Sequence, residues 1–166
     1  MNNKIFIQIA SYRDPQLIPT IKSAIETAKH PENLVFGIAR QFHPDDKFDD
    51  LSEYKKDERF RILDIPYQEA EGVCWARSLV QQLYKDEEYT LQIDSHMRFA
   101  PNWDEEMIKW EVENPNDYSY SKVILKEVIR EEFRSFCSMT NTDYNKYNQY
   151  ACWIENIPNG CYISKQ

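Results

Sequence analysis

Residues 4–10, KIFIQIA, are a short apolar run rich in Ile and Phe, which predicts a buried strand. The run ends in Ser11-Tyr12-Arg13-Asp14-Pro15. Asp14 suits a helix N-cap and Pro15 the first helical position, where a missing N–H costs nothing. Leu17, Ile18, Ile21, Ala24, Ile25 and Ala28 then recur at helical spacing and give one apolar stripe, which His30-Pro31 ends. Residues 34–40, LVFGIAR, predict a second buried strand. The polar stretch FHPDDKFDDLSEYKKDE (42–58) predicts a long surface loop, and FRILDIP (60–66) a third strand ended by Pro66. Gly72 precedes a helix whose stripe is Val73, Ala76, Leu79, Val80 and Leu83. A fourth strand opens YTLQIDSHMRF, residues 89–99.

Strand, helix, strand, strand, helix, strand is the rhythm of an open α/β sheet with mostly parallel strands flanked by helices, a Rossmann-like arrangement. In such sheets ligands sit beyond the carboxyl ends of the strands, near where the strand order reverses. Ser11 to Asp14, Arg40-Gln41 and Asp94 to His96 all occupy strand carboxyl ends. Further along, Asn102 and Glu105 have the spacing of a capping box before a helix over Trp103 to Val112. Residues 119–135 fit either a strand or a charged helix, and the aromatic tail around Pro158-Asn159-Gly160 predicts a hairpin. One domain follows, with a core over 1–112 and a segment over 113–166 that completes it.

Composition narrows the function. Apolar residues are 42% and aromatics 14% of 166 residues, enough for a single core. A formal charge of −8 argues against nucleic-acid binding through a broad positive face. No apolar run approaches the ~20 residues that span a bilayer, and the polar start MNNK has no signal-peptide character; a cytoplasmic protein is the expectation. Cys74, Cys137, Cys152 and Cys161 form no CxxC pair, which leaves zinc-ribbon and thioredoxin readings unsupported.

The chemistry is concentrated at the end of the fourth strand. In extended backbone residues i and i+2 share a side, with Cα atoms roughly 6.5–7 Å apart, so Asp94 and His96 can converge on one ion with Ser95 turned away. A carboxylate oxygen plus an imidazole nitrogen favours a borderline divalent metal such as Mn²⁺ over Mg²⁺. Two protein ligands leave coordination places for a substrate diphosphate. The plainer alternative is that Asp94 caps the next turn and His96 is a surface side chain. Gly72 lets backbone approach a ligand, and the helix start behind it offers N–H groups to negative charge, with Arg77 about one turn further in. A simple loop turn at Gly72 and a surface ion pair at Arg77 are the alternatives; for Arg13 it is an ion pair with Asp14 or a neighbouring acid. Trp75 and Trp103 are either core residues or, Trp103 especially, a stacking face for a sugar.

Three separated segments, IASYRDPQLIPTIKSAIETAKHPENLVFGIARQ, RILDIPYQEAEGVCWARSLVQQLY and YTLQIDSHMRFAPNWDEEM, together resemble the GlcNAc-type glycosyltransferases over about residues 4–110. That family includes a cytoplasmic hydroxyproline GlcNAc-transferase. More distantly the chain resembles the polypeptide GalNAc-transferases, which carry a similar Asp-x-His. The resemblance implies a GT-A fold, a UDP-sugar donor (UDP-GlcNAc first), a divalent metal, and transfer with retention to a peptide, protein or glycan acceptor. It assigns Asp94 and His96 to the metal, Ser11, Tyr12 and Arg13 to the surroundings of the nucleotide, and Gly72 and Arg77 to the uridine and diphosphate. Arg77 or Arg13 would help to neutralise the leaving diphosphate.

The relatives are longer, so this chain is expected to be a shortened member. Their extra part normally supplies the acceptor site and a further metal ligand, a second His in the GalNAc-transferases. No His follows His96 here, which leaves Asp143 or Glu155 as candidates. Tyr144, Tyr147, Tyr150 and Tyr162 make either an acceptor surface or a packing layer. Two other functions stay open: a nucleotide-sugar binder without efficient transfer, and a non-catalytic interaction domain. Oligomeric state is left open.

Overall fold

The computed structural model describes residues 3–113 and 162–165. The sheet is built on β1 (Ile5–Tyr12), which lies between β2 (Leu34–Phe42) and β4 (Tyr89–Asp94), with β3 (Phe60–Pro66) outside β2. These four strands are parallel. A fifth, β5 (Tyr162–Lys165), pairs antiparallel with β4, giving the order β3-β2-β1-β4-β5. The α/β reading and three of the four strand boundaries agree with the apolar pattern to within two residues. The hairpin expected around residues 158–160 and the segment 119–135 lie outside the described residues.

Alternation along β1 splits the core in two, as a sheet covered on both faces requires. Ile5, Ile7 and Ile9 join Leu17, Ile21 and Ala24 of α1 (Leu17–Thr27) and Trp103 and Met107 of α3 (Trp103–Glu113). Phe6 faces the other way and packs with Val35, Ala39, Ala76 and Val80 under α2 (Val73–Gln81). Each fully buried aliphatic side chain contributes about 1.5–3 kcal/mol, which makes this double burial of β1 the main stabilisation of the sheet. Trp103 is 1% exposed and its indole N–H donates to the Ala24 carbonyl at 2.9 Å, so it is a core residue and not a sugar platform. Trp75 packs against the α2-side core.

The capping box expected at Asn102 and Glu105 is replaced by contacts to α1. The Asn102 amide donates to the Thr27 carbonyl at 2.7 Å, leaving Glu105 nothing to cap, and Glu105 pairs instead with Lys29 at 2.7 Å. Asp104 accepts the backbone amides of Lys29 and His30 at 2.7 and 2.8 Å, tying α3 to the end of α1.

Two crossovers set the site. The chain runs from β1 through α1 to β2 on one side, and from β3 through α2 back across β1 to β4 on the other. Strand order therefore reverses between β1 and β4. Gly37 keeps α2 close to the sheet: a Cβ there would lie 2.4 Å from the Phe6 ring and 3.2 Å from Val80. Phe6 is fully buried and held edge-on to Tyr84, so it has little room to retreat. Gly37→Ala is expected to lower unfolding free energy by about 1–3 kcal/mol with an unchanged m-value, read by urea denaturation.

Candidate functional site

Residues aligned in a parallel ladder point to the same face, so the register Tyr12↔Gln41 and Ala10↔Asp94 brings four side chains to the α2 side of the sheet's carboxyl edge. Three of them, Ala10, Tyr12 and Gln41, border a cleft of about 350 Å³ whose other lining residues are Tyr67, Ala70, Gly72 and Val73; Asp94 is not part of that lining. Tyr12 and Val73 are each about half exposed, unusual for large apolar groups beside a cleft. Gly72 has φ of +99°, a region side chains avoid, and its carbonyl accepts the Ala76 amide as α2 begins. The first turn of α2, which leaves N–H groups without intrahelical partners, thus begins at the cleft wall, where Gly72 and Val73 line it.

Gln41 is 3% exposed and its amide nitrogen donates to the Ser11 carbonyl at 3.2 Å. A carbonyl can only accept, which fixes the amide's orientation and leaves an acceptor as what Gln41 offers the cleft. Ser11 itself is fully buried, and its hydroxyl has no hydrogen-bond partner among the described residues. Of the three SYR residues, then, only Tyr12 reaches the cleft.

Arg13 takes a left-handed backbone with φ of +47°. Its guanidinium turns to Asp46, at 2.7 and 3.3 Å, and lies 5.3 Å from the centre of the Tyr67 ring. The ion-pair alternative for Arg13 is therefore the one observed, with Asp46 as the acid. Asp46 sits in the 42–58 loop, so Arg13 pins that loop beside the aromatic wall of the cleft. Arg77 likewise makes an ion pair, donating to Asp94 Oδ1 at 3.0 Å. Here the pair is the site itself, because Asp94 ends β4 at the strand-order reversal.

Asp94 and His96 are placed differently from the alternation argument. β4 ends at Asp94 and a turn begins at Ser95, so the extended geometry that would align residues 94 and 96 stops short. Ser95 is not turned away: its hydroxyl donates to Asp14 Oδ2 at 2.5 Å, and His96 Nδ1 lies 3.0 Å from the same oxygen. The other Asp14 oxygen accepts the Gln16 amide at 2.8 Å, an Asx-type turn ahead of the helix. α1 begins at Leu17 with Gln16 at its N-cap position, so the cap expected at Asp14, with Pro15 as first helical residue, is displaced by two residues. The long-range role of Asp14 carried no local signal, since its partners lie 81 and 82 residues away.

Electrostatics follow from these contacts. The hydrogen bond to Asp14 raises His96 above the usual imidazole value; burial works against it, and the charges of Asp14 and Asp94 add to it. Burial pushes the Asp14 carboxyl up, but bonds from His96, Ser95 and the Gln16 amide outweigh it and hold it below the usual range. Among the described residues no three His, Cys, Asp or Glu side chains form a ready cage for a metal. The donors that fit a divalent ion are the Asp94 carboxylate and the His96 imidazole. A ring nitrogen already held by a carboxylate is the usual condition of a metal-ligating histidine. Asp143 and Glu155 lie outside the described residues.

A family model described as Glycosyltransferase (GlcNAc) matches residues 4–58 and 46–129. No curated protein matches the chain. Among solved structures, S. aureus TarS 1-349 superposes with a TM-score of 0.53 at 12% identity, over 66% of this chain and 32% of that one. The same protein in complex with UDP-GlcNAc gives 0.54 at 11%, over 66% and 31%. The mannosyltransferase PcManGT from Pyrobaculum calidifontis, in complex with GDP-Man and Mn²⁺, gives 0.54 at 12%, over 69% and 34%. At such identities the likeness is one of fold, the GT-A fold, and this chain spans about a third of the length of each.

The Asp14–His96 pair gives a pH signature. Because His96 is raised in the folded state, its contribution is complete below the unfolded value of about 6.5 and fades as pH rises through the raised value. At the acid end it is lost as pH falls through the lowered value of Asp14. The melting temperature of the protein should exceed that of His96→Gln most between about pH 4 and 6.5, and the two should converge at higher pH. The gap should be worth no more than about 1 kcal/mol, since the ring is 41% exposed. A gap that widens toward alkaline pH would contradict this assignment.

Proposed function

The chain belongs to the GlcNAc glycosyltransferase family, and from that premise we propose that it binds a UDP-sugar, UDP-GlcNAc first, and transfers the sugar to an acceptor with retention at the anomeric carbon. The observation that carries this reading is the cleft over the carboxyl ends of β1 and β2, walled by Tyr12, Tyr67 and Gln41 and closed by the start of α2 at Gly72. Each wall matches a part of such a donor. The exposed Tyr12 ring offers a stacking face for a base, and Gln41 offers an acceptor for an imide N–H. The N–H groups of the first turn of α2 suit the diphosphate, with Arg77 close behind.

Asp94 and His96 are the residues that would hold a divalent ion, Mn²⁺ before Mg²⁺. Such an ion supplies Lewis-acid charge to a departing diphosphate. Arg77 already stands on the Asp94 carboxylate, and from there its guanidinium can share the negative charge that builds on the leaving group. The acceptor class, whether peptide, protein or glycan, is not specified by the cleft. A cytoplasmic setting belongs to the same proposal. The runner-up, a nucleotide-sugar binder without efficient transfer, draws on the engagement of Asp94 with Arg77 and of His96 with Asp14.

Calorimetry should show UDP binding that strengthens with Mn²⁺, and Tyr12→Ala should weaken it about tenfold through lost stacking. UDP release from UDP-GlcNAc with an acceptor library should fall at least about 100-fold in Asp94→Asn, the scale of several kcal/mol of lost charge stabilisation. Binding without release would select the runner-up. Failure to bind UDP at millimolar concentration, with or without Mn²⁺, would remove both readings and leave an interaction domain.

A further inference from the structure

Asp14 joins three stretches of chain that are far apart in sequence. One carboxylate oxygen accepts the Gln16 amide at the start of α1; the other receives the Ser95 hydroxyl and faces His96 Nδ1. The turn that carries His96 is itself anchored to α1. Thr20 Oγ1 donates to the Ser95 carbonyl at 2.7 Å and accepts the Met97 amide at 2.9 Å, both buried. The backbone on either side of His96 is thereby fixed, and what remains adjustable is the ring.

We propose that Asp14 is a positioning residue that holds the neutral His96 ring in its Nδ1–H form, so that Nε2 is the nitrogen presented to a divalent cation. The proposal rests on the reading above that His96 ligates the metal. An ionised carboxylate can only accept, and a hydroxyl and an amide already donate to this one; the ring nitrogen that meets it must be the N–H. A neutral imidazole has one N–H, so placing it on Nδ1 puts the lone pair on Nε2. The turn bond to Gln16 does not require this arrangement. It uses only Oδ1, and an Asn side-chain oxygen makes the same turn as an Asp oxygen.

That asymmetry gives a discriminating variant. In Asp14→Asn the carbonyl oxygen can keep the Gln16 bond while an NH₂ replaces the oxygen that meets His96. An NH₂ donates, so it demands the opposite ring form. With the full chain, ¹⁵N NMR at a pH where the ring is neutral should find His96 as Nδ1–H in the wild type and as Nε2–H in Asp14→Asn. Mn²⁺ affinity, measured by electron paramagnetic resonance without any sugar donor, should weaken about 10–100-fold in Asp14→Asn. At that same pH, where the ion pair no longer contributes, its melting temperature should stay near that of the wild type, and Ser95→Ala should keep the Nδ1–H form.

A wild-type ring found mainly as Nε2–H would overturn the proposal with no substitution needed, so it stays testable even if Asp14→Asn folds poorly. An unchanged ring form in Asp14→Asn would overturn it too. So would unchanged Mn²⁺ affinity in Asp14→Asn alongside loss in His96→Ala, a pattern that spares the metal reading. If the wild type shows Nδ1–H but binds no Mn²⁺, the metal reading itself falls and the purpose assigned to Asp14 falls with it.

Discussion

Everything at the candidate site is placed by where β1 stops. The strand is hydrogen-bonded to a neighbour on each side and covered on each face, so its carboxyl end can neither slide nor twist without moving β2, β4 and both helical layers. A slip of one residue would exchange its faces, driving Gln8 and Ala10 against α1 and the Ile side chains against α2. Register is therefore strongly specified, and with it the alignment of Tyr12 with Gln41 and of Ala10 with Asp94. The cleft needs no special device to form. It is the notch over the carboxyl ends of β1 and β2, bounded by the segment that leads from β3 into α2.

The charges around that notch are held in pairs. Arg40 is 8% exposed and bonds the fully buried Asp49 at 2.9 Å and Asp64 at 3.3 Å. Arg13 holds Asp46, and Arg77 holds Asp94. A buried or half-buried carboxylate without such a partner would cost several kcal/mol, so a chain this acidic needs its arginines near its strand ends. The first two pairs also do something geometric: both tie the 42–58 loop to the sheet edge, one under it and one beside Tyr67. The loop is then held by ion pairs anchored on β2 and just past the end of β1. Arg77 differs, because its partner lies at the site itself.

How much of this the amino-acid order reveals depends on the range of the interaction. Strand and helix positions rest on periodicity and came through closely; Phe60–Pro66 matches its expected bounds and α2 starts directly after Gly72. Gly72 was informative because a φ of +99° is a local demand. The capping box at Asn102 failed for the opposite reason: a carbonyl at Thr27, brought close only by folding, took the amide that Glu105 was expected to satisfy. Ser11 and Arg13 were grouped with Tyr12 as nucleotide neighbours, yet alternation and a left-handed turn send them to a buried pocket and to Asp46. Tyr67 was not singled out at all, since nothing local marks a Tyr after Pro66 as a cleft wall.

The relation between Asp94 and His96 shows most clearly where local reasoning stops. An Asp-x-His triplet reads as two ligands on one side of a strand, and the strand ends one residue too early for that. The turn at Ser95 sends Asp94 toward α2 and Arg77, and His96 toward Asp14 at the start of α1. Asp94 and His96 thus leave the end of β4 in different directions, one steadied by Arg77 of α2 and the other by Asp14 ahead of α1. This arrangement makes the site sensitive to the packing of both helices. A change that shifts α1 moves His96 through Asp14 and Thr20, and one that shifts α2 moves Asp94 through Arg77. The position of the donors is therefore a property of the whole sandwich, with β1 as its fixed reference.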